Sequence, residues 1–318
     1  MSSKALIQLN MVAFLVIVMA GFFGSPKSLA QDVFFDDFET GGLRHAENGF
    51  RWASPDSNKI AVVNSDGYIT SGGLAGQGPF PERKFENAPG EPGTHALSFY
   101  FDAGSSSREK RFSLGGVYPE IWISYWVRVP INYVHGTIGP GPGFRNQKWF
   151  ALWTDTYAGS SEPTIVFNIY DERNAWSDDG KSGESYSTVT ISNATNMNSA
   201  HREKFPGFIR FPEDQGRWMH IVARYKIASS RGAEDGIVQW WRRWENEAEY
   251  TVLSDRSNLG IGTDTGPAGF TAGYIFGWAN GAYESDTEFL MDEFRVSTRS
   301  LLDAQGAAPK SPEKIAVN

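Results

Sequence analysis

One strand-like stretch of this chain sets a histidine and an arginine on the same face. In Trp218–Ile227 the apolar parity is Met219, Ile221, Ala223, Tyr225 and Ile227. The other face then carries Trp218, His220, Val222, Arg224 and Lys226, because successive strand side chains alternate. Ile165, Phe167 and Ile169 likewise leave Asn168 and Tyr170 opposite, and Phe150 with Leu152 leaves Gln147, Trp149 and Trp153. Ile121–Val129 has a dry odd parity and an even parity of Trp122, Ser124, Trp126 and Arg128. These residue types suit β-elimination on a uronate. Cationic or amide groups neutralise a carboxylate and so acidify the adjacent C–H. A base then takes that proton, and an acid protonates the leaving oxygen. The expectation is His220 beside the scissile unit, Asn168 or Gln147 neutralising charge and Tyr170 as acid. Arg224 lies about 13 Å along the strand from His220, so it would hold a neighbouring carboxylate. The ordinary alternative for His220 is a hydrogen-bonded structural histidine.

The same faces predict how a sugar would be held. Trp122, Trp126, Trp149 and Trp153, with Arg128, form an expected aromatic groove where pyranose rings could stack on indole while polar groups meet the hydroxyls. The chain has eleven tryptophans, which favours such a surface. Other chemistries lack their parts. No E-x-D-x-E string supplies the paired carboxylates of a glycoside hydrolase, and Glu284, Asp286 and Glu288 read as loop residues. No G-x-S-x-G supports a serine nucleophile. Without cysteine and with five scattered histidines, a zinc site has no framework, and no organic cofactor is expected.

Short β-branched and aromatic runs recur between Gly, Pro, Asn and Ser clusters: Val33–Phe38, His95–Phe101, Ile121–Pro130, Lys148–Trp153, Thr164–Tyr170, Trp218–Ile227, Ile237–Trp244, Gly273–Trp278 and Phe289–Ser297. That spacing predicts an all-β jelly-roll sandwich of two antiparallel sheets in a single domain, residues 31–302. Ser54–Pro92, Asn132–Asn146 and Asn174–Pro206 read as long irregular loops.

Residues 1–30 have the layout of a signal peptide, with a basic start, an apolar run from Met11 to Phe23 and small residues before a cut after Ala30. The expectation is therefore a secreted or periplasmic protein. Residues 303–318 read as a disordered tail. The formal charge is −8, and residues 1–30 contribute Lys4 and Lys27 but no acid, so the remainder carries −10. An acidic chain argues against nucleic acid or a membrane surface as partner. Between His201 and Arg243, however, nine Lys/Arg meet five Asp/Glu. That local excess suits an anionic polysaccharide bound by a monomer.

Three stretches carry a family resemblance. Phe35-Asp36-Asp37-Phe38-Glu39-Thr40-Gly41, the pair Gly216-Arg217-Trp218-Met219-His220 and Asp235-Gly236-Ile237-Val238-Gln239-Trp240-Trp241, and Phe289 to Ser297 are similar to the opening, middle and closing strands of the concanavalin A-like lectin/glucanase jelly-roll superfamily. Within it the chain most resembles the heparin-lyase-I-like polysaccharide lyases. It departs from them at Trp241-Arg242-Arg243-Trp244-Glu245-Asn246, where a W-x-D/N-G turn is usual. Asp36 and Asp292 share parity with apolar neighbours, and buried carboxylates need a partner or a cation. The resemblance implies a structural Ca²⁺ between first and last strands, held by those two residues. A hydrogen-bonded strand-end carboxylate is the alternative. The resulting expectation is a secreted polysaccharide lyase acting on an acidic glycan. A non-catalytic lectin-like module is the rival, and glycoside hydrolysis is disfavoured.

Overall fold

Apolar alternation broken by Gly, Pro and Asn yields strands almost throughout. The structure, a computed structural model, describes residues 32–302 apart from 54–58, 81–83, 86–92, 137, 140–144, 158–161, 173–183 and 194–203. The expected signal peptide and the C-terminal tail lie outside the described residues. Among those described, no helix is long and apolar enough to cross a membrane.

Fifteen described strands form two antiparallel sheets stacked as a jelly-roll sandwich. The first sheet runs β13 (Thr251–Leu259), β12 (Gly236–Trp244), β11 (Trp218–Lys226), β6 (Glu120–Arg128), β15 (Thr287–Ser297), β4 (His95–Phe101) and β3 (Ile60–Asn64), with β1 (Asp32–Asp36) also on β15. The second runs β10 (Phe205–Ile209), β9 (Ser185–Ser192), β8 (Thr164–Asp171), β7 (Asn146–Trp153), β14 (Phe270–Ile275), β5 (Lys110–Tyr118) and β2 (Arg51–Ala53). Several elements were not foreseen. β3 falls within the expected loop 54–92 and β9 within 174–206, while β5 and β13 are rich in Ser, Gly and charge and lack a clean alternation.

Between the sheets, Phe150 lies near Tyr125, Tyr225 and Trp240, and Phe294 near Trp52 and Phe112. Burial of this inner layer is the main stabilising term, on the order of 2 kcal/mol per large side chain.

The outer face of the eight-stranded sheet is also buried. Ile69 and Phe85, with Leu74 and Phe80 beside them, lie over Ala61, Val63, Ala96, Trp126, Trp218 and Leu290. Farther along, Trp122 stacks on Trp241 with ring centroids 5.7 Å apart. Val222, Tyr250, Leu301 and Leu302 complete that second patch. The tryptophans expected to stack on sugar from this sheet are therefore packed against the chain itself.

Two register breaks redirect side chains. In β7 the pairing to β8 shifts between Lys148 and Phe150, so Trp149 and Phe150 both enter the inner core. A bulge adds one residue to one strand and exchanges the faces on either side of it. In β15 the pairing to β6 shifts between Asp292 and Arg295, where Glu293 has φ +48. Before that break β15 pairs with β4, and after it with β1.

Candidate functional site

The structure divides the expected catalytic residues between two sides of the sandwich. His220 and Arg224 lie on the outer face of the eight-stranded sheet, whereas Asn168 and Tyr170 lie on the outer face of the seven-stranded one. His220 is only 1% exposed, packs on Trp126 and has Nδ1 2.6 Å from the Tyr250 hydroxyl. Burial, and then the charges of Arg243 and Arg295, push its pKa down to about 3. It is a neutral structural histidine. Arg224 pairs with Glu120 at 2.8 Å and lies over the Trp122 ring. Arg128 donates to the Gly216 carbonyl.

Gln147 falls on the inner side of the β7 break, where it accepts from the Tyr283 hydroxyl and lies near the Gly281 carbonyl. Trp149 packs on Phe208, Phe276 and Phe289 and faces no groove. Tyr170 stacks on Tyr186 at 5.3 Å. Of the five expected groove residues only Trp153 lies on the outer face of the seven-stranded sheet.

That face carries a different constellation. The β7 break turns Lys148 outward, opposite Asn168 on β8. Gly273 and Ile275 of β14 point inward, so Tyr274 points outward, opposite Ala151 of β7 and Arg111 of β5. The turn after β7 brings Tyr157 back over the sheet. Lys148 Nζ donates to Tyr157 Oη at 3.3 Å, and the two phenol oxygens are 2.9 Å apart. Trp153 flanks both phenols, at 5.3 and 5.9 Å between ring centroids. Arg111 sits 5.8 Å over both the Trp153 and the Tyr157 rings and pairs with Glu109.

The two phenols are unlike. Tyr274 is fully buried, and a Cβ at Gly277 would fall 2.3 Å from its ring, so glycine is needed where the chain passes it. Burial, reinforced by its hydrogen bond and proximity to Tyr157, raises the Tyr274 pKa far above the ordinary phenol value. It stays protonated and is available to donate. Tyr157 and Lys148 are half-buried, so a ligand on the face can reach them.

A row of amides continues from this group. Asn168 Nδ2 donates to Thr190 Oγ1 at 3.2 Å, and Asn146 Nδ2 donates to Asn168 Oδ1 at 2.9 Å. Asn280 Nδ2 donates in turn to Asn146 Oδ1 at 2.6 Å. Asn168 is thus engaged inside the protein, and its amide positions Asn146.

The expected calcium ligands do not share a site. Asp36 points between the sheets, where its carboxylate accepts from the Phe38 and Arg44 backbone N–H groups and from Trp52 Nε1. Burial raises its pKa, while those three donors oppose the rise. Asp292 points the other way, into a cleft of about 350 Å³ at the β15 break, lined also by Phe35, Asp37, Glu39, Gly93, Glu293 and Arg295. Asp36 is not among the residues that line this cleft. Among the described residues no group of three or more His, Asp or Glu has metal-binding geometry.

No family model matches the chain, and no curated protein matches it. Solved structures do. The chain is similar to a mutant of alginate lyase Aly36B in complex with alginate trisaccharide, at 13% identity, covering 75% of this chain and 97% of that one with TM-score 0.46. The PL-14 alginate lyase from Aplysia kurodai is 16% identical, with 66% and 85% covered and TM-score 0.44. The metal-free exoplasmic/lumenal domain of VIP36 is 10% identical, with 82% and 90% covered and TM-score 0.41. At these values the likenesses carry no argument about what this chain does.

Proposed function

We propose that the protein binds an acidic, uronate-containing polysaccharide on the outer face of its seven-stranded sheet and cleaves it by β-elimination. The observation that carries this reading is the Lys148–Tyr157–Tyr274 hydrogen-bonded series beside Trp153. An ammonium group has three N–H donors. Lys148 uses one on Tyr157 and keeps the others for a substrate carboxylate, whose neutralisation acidifies C5.

In the step Tyr157, held by Lys148 and by the O–H of Tyr274, acts as the base. Its oxygen takes the C5 proton. The C5–H electrons form the C4=C5 double bond, the C4–O bond breaks, and the proton passes from Tyr157 to the departing oxygen. Buried Trp153 packs against both phenols and fixes where they stand.

The test is purified protein with alginate, glucuronan, heparin and pectate, followed by ultraviolet absorbance of the unsaturated uronate. Product from at least one polymer is expected, and its loss in Tyr157→Phe with polymer binding retained. Binding without absorbance from any of the four polymers would favour the lectin-like reading.

A further inference from the structure

Trp278 is 54% exposed, the most exposed tryptophan among the described residues, and its indole is oriented by a hydrogen bond. Its Nε1 donates to Asn280 Oδ1 at 3.0 Å. Asn280 is itself fixed twice to Asn146, through its side chain at 2.6 Å and through its backbone N–H to the Asn146 carbonyl at 2.7 Å. Asn146 donates to Asn168. A large apolar ring in water, held by exposed Asn280 at the end of an amide row whose other members, Asn146 and Asn168, are buried and reach Lys148, has no packing purpose of its own. Pinning removes the rotamer entropy that a ligand would otherwise have to freeze out on binding.

We infer that Trp278 is a stacking platform for a pyranose unit of the polymer, at the end of the same binding face and remote from the bond that breaks. The inference rests on the proposed reading of that face and extends it. Asn146 and Lys148 are two residues apart on one strand, about 7 Å, and the indole lies beyond Asn146 through Asn280. A sugar on Trp278 is therefore not the sugar held by Lys148, and the face takes several units of the chain. Apolar C–H faces of the ring meet the exposed indole, and Asn280 keeps the ring plane constant. Binding there serves to hold and register the polymer and makes no contact with the reacting atoms.

The test uses Trp278→Ala, Trp278→Phe and Asn280→Ala with alginate and glucuronan, both as polymer and as oligomers of graded length. Trp278→Ala should raise KM for polymer about fivefold to tenfold, the size of one lost stacking contact. Its kcat should be unchanged, and its KM on the shortest cleaved oligomer should equal that of wild type. Trp278→Phe should restore most of the affinity. Asn280→Ala, which frees the ring, should give an intermediate KM with kcat unchanged. Equal KM for wild type and Trp278→Ala at every length, with wild type active, overturns the platform and leaves the lyase reading intact. If wild type cleaves nothing, retardation in gels containing either polymer decides instead. Weaker retardation of Trp278→Ala than of wild type supports the platform, and equal retardation or none overturns it.

Discussion

The Nδ1 atom of His220 and the hydroxyl of Tyr250 are 2.6 Å apart, on a sheet face sealed by Trp126 and by the side chains over it. Acid should strain this arrangement. The His220 pKa lies at about 3 in the folded chain and near 6.5 when unfolded. Between those values the unfolded chain takes up a proton that the native one refuses, so stability falls as pH drops from about 6.5 toward 3. His135, held near 4 mainly by burial, acts in the same direction. The expected outcome is a melting temperature that declines below pH 6.5, and less steeply in His220→Gln. An identical pH slope in that variant would contradict the assignment.

Asp292 has the opposite sign. Burial, with the charges of Glu293, Glu39 and Asp37, raises its pKa to about 8 from 3.8. Its contribution is fully present below pH 3.8 and is lost as pH rises through 8. Asp292→Asn should therefore raise the melting temperature at pH 8 and change it little at pH 4. Thermal scans at the two pH values check this.

The Asp36 carboxylate accepts from three N–H donors. Asp36→Ala would strand them, at roughly 1–3 kcal/mol for each buried group left unpaired. The expected result is a loss of about 3 kcal/mol or more in denaturant titration, the same with and without chelator. A loss seen only after chelation would return the residue to a metal site.

Trp126→Ala should behave as a core deletion. The cost expected is about 3–5 kcal/mol, typical of large-to-small aromatic changes. Polymer affinity of the folded protein should be unaltered, as measured by retardation in polysaccharide gels below the unfolding transition.

For Lys148→Ala the expectation is a fall in kcat of at least ~10²-fold, the size of one lost charge-stabilising group. The thermal midpoint should be nearly unchanged, since the side chain is half-buried and makes one hydrogen bond within the protein. Steady-state rates and a thermal scan on the same preparation test both parts.

The sandwich was legible because β6, β8 and β11 alternate cleanly, with Ile121 to Val129 and Met219 to Tyr225 as dry parities. The site was less so. Counting by twos fails across a bulge, and in Lys148-Trp149-Phe150 two successive large residues both enter the core. The count therefore turned Gln147 outward and missed Lys148. Tyr274 was accessible in principle, since Gly273 and Ile275 mark its strand's inner parity. Tyr157 lies in a turn, and no period places it. The tryptophan-rich face of β6 and β11 misled for another reason. Alternation identifies two faces but not what covers the second one, and Ile69, Leu74, Phe80 and Phe85 with Leu301 and Leu302 cover this one.

The change of partner along β15 bears on how the chain is made. Its first half zips to β4 and its second to β1, with β6 along the other edge, so one strand ties together segments more than 160 residues upstream. Contacts so distant in sequence make folding slow. On a ribosome the larger sheet would stay in three pieces until residue 297 emerges. Until then the edges of β6, β4 and β1 stay open, and an unpaired strand edge is a template for pairing with another chain.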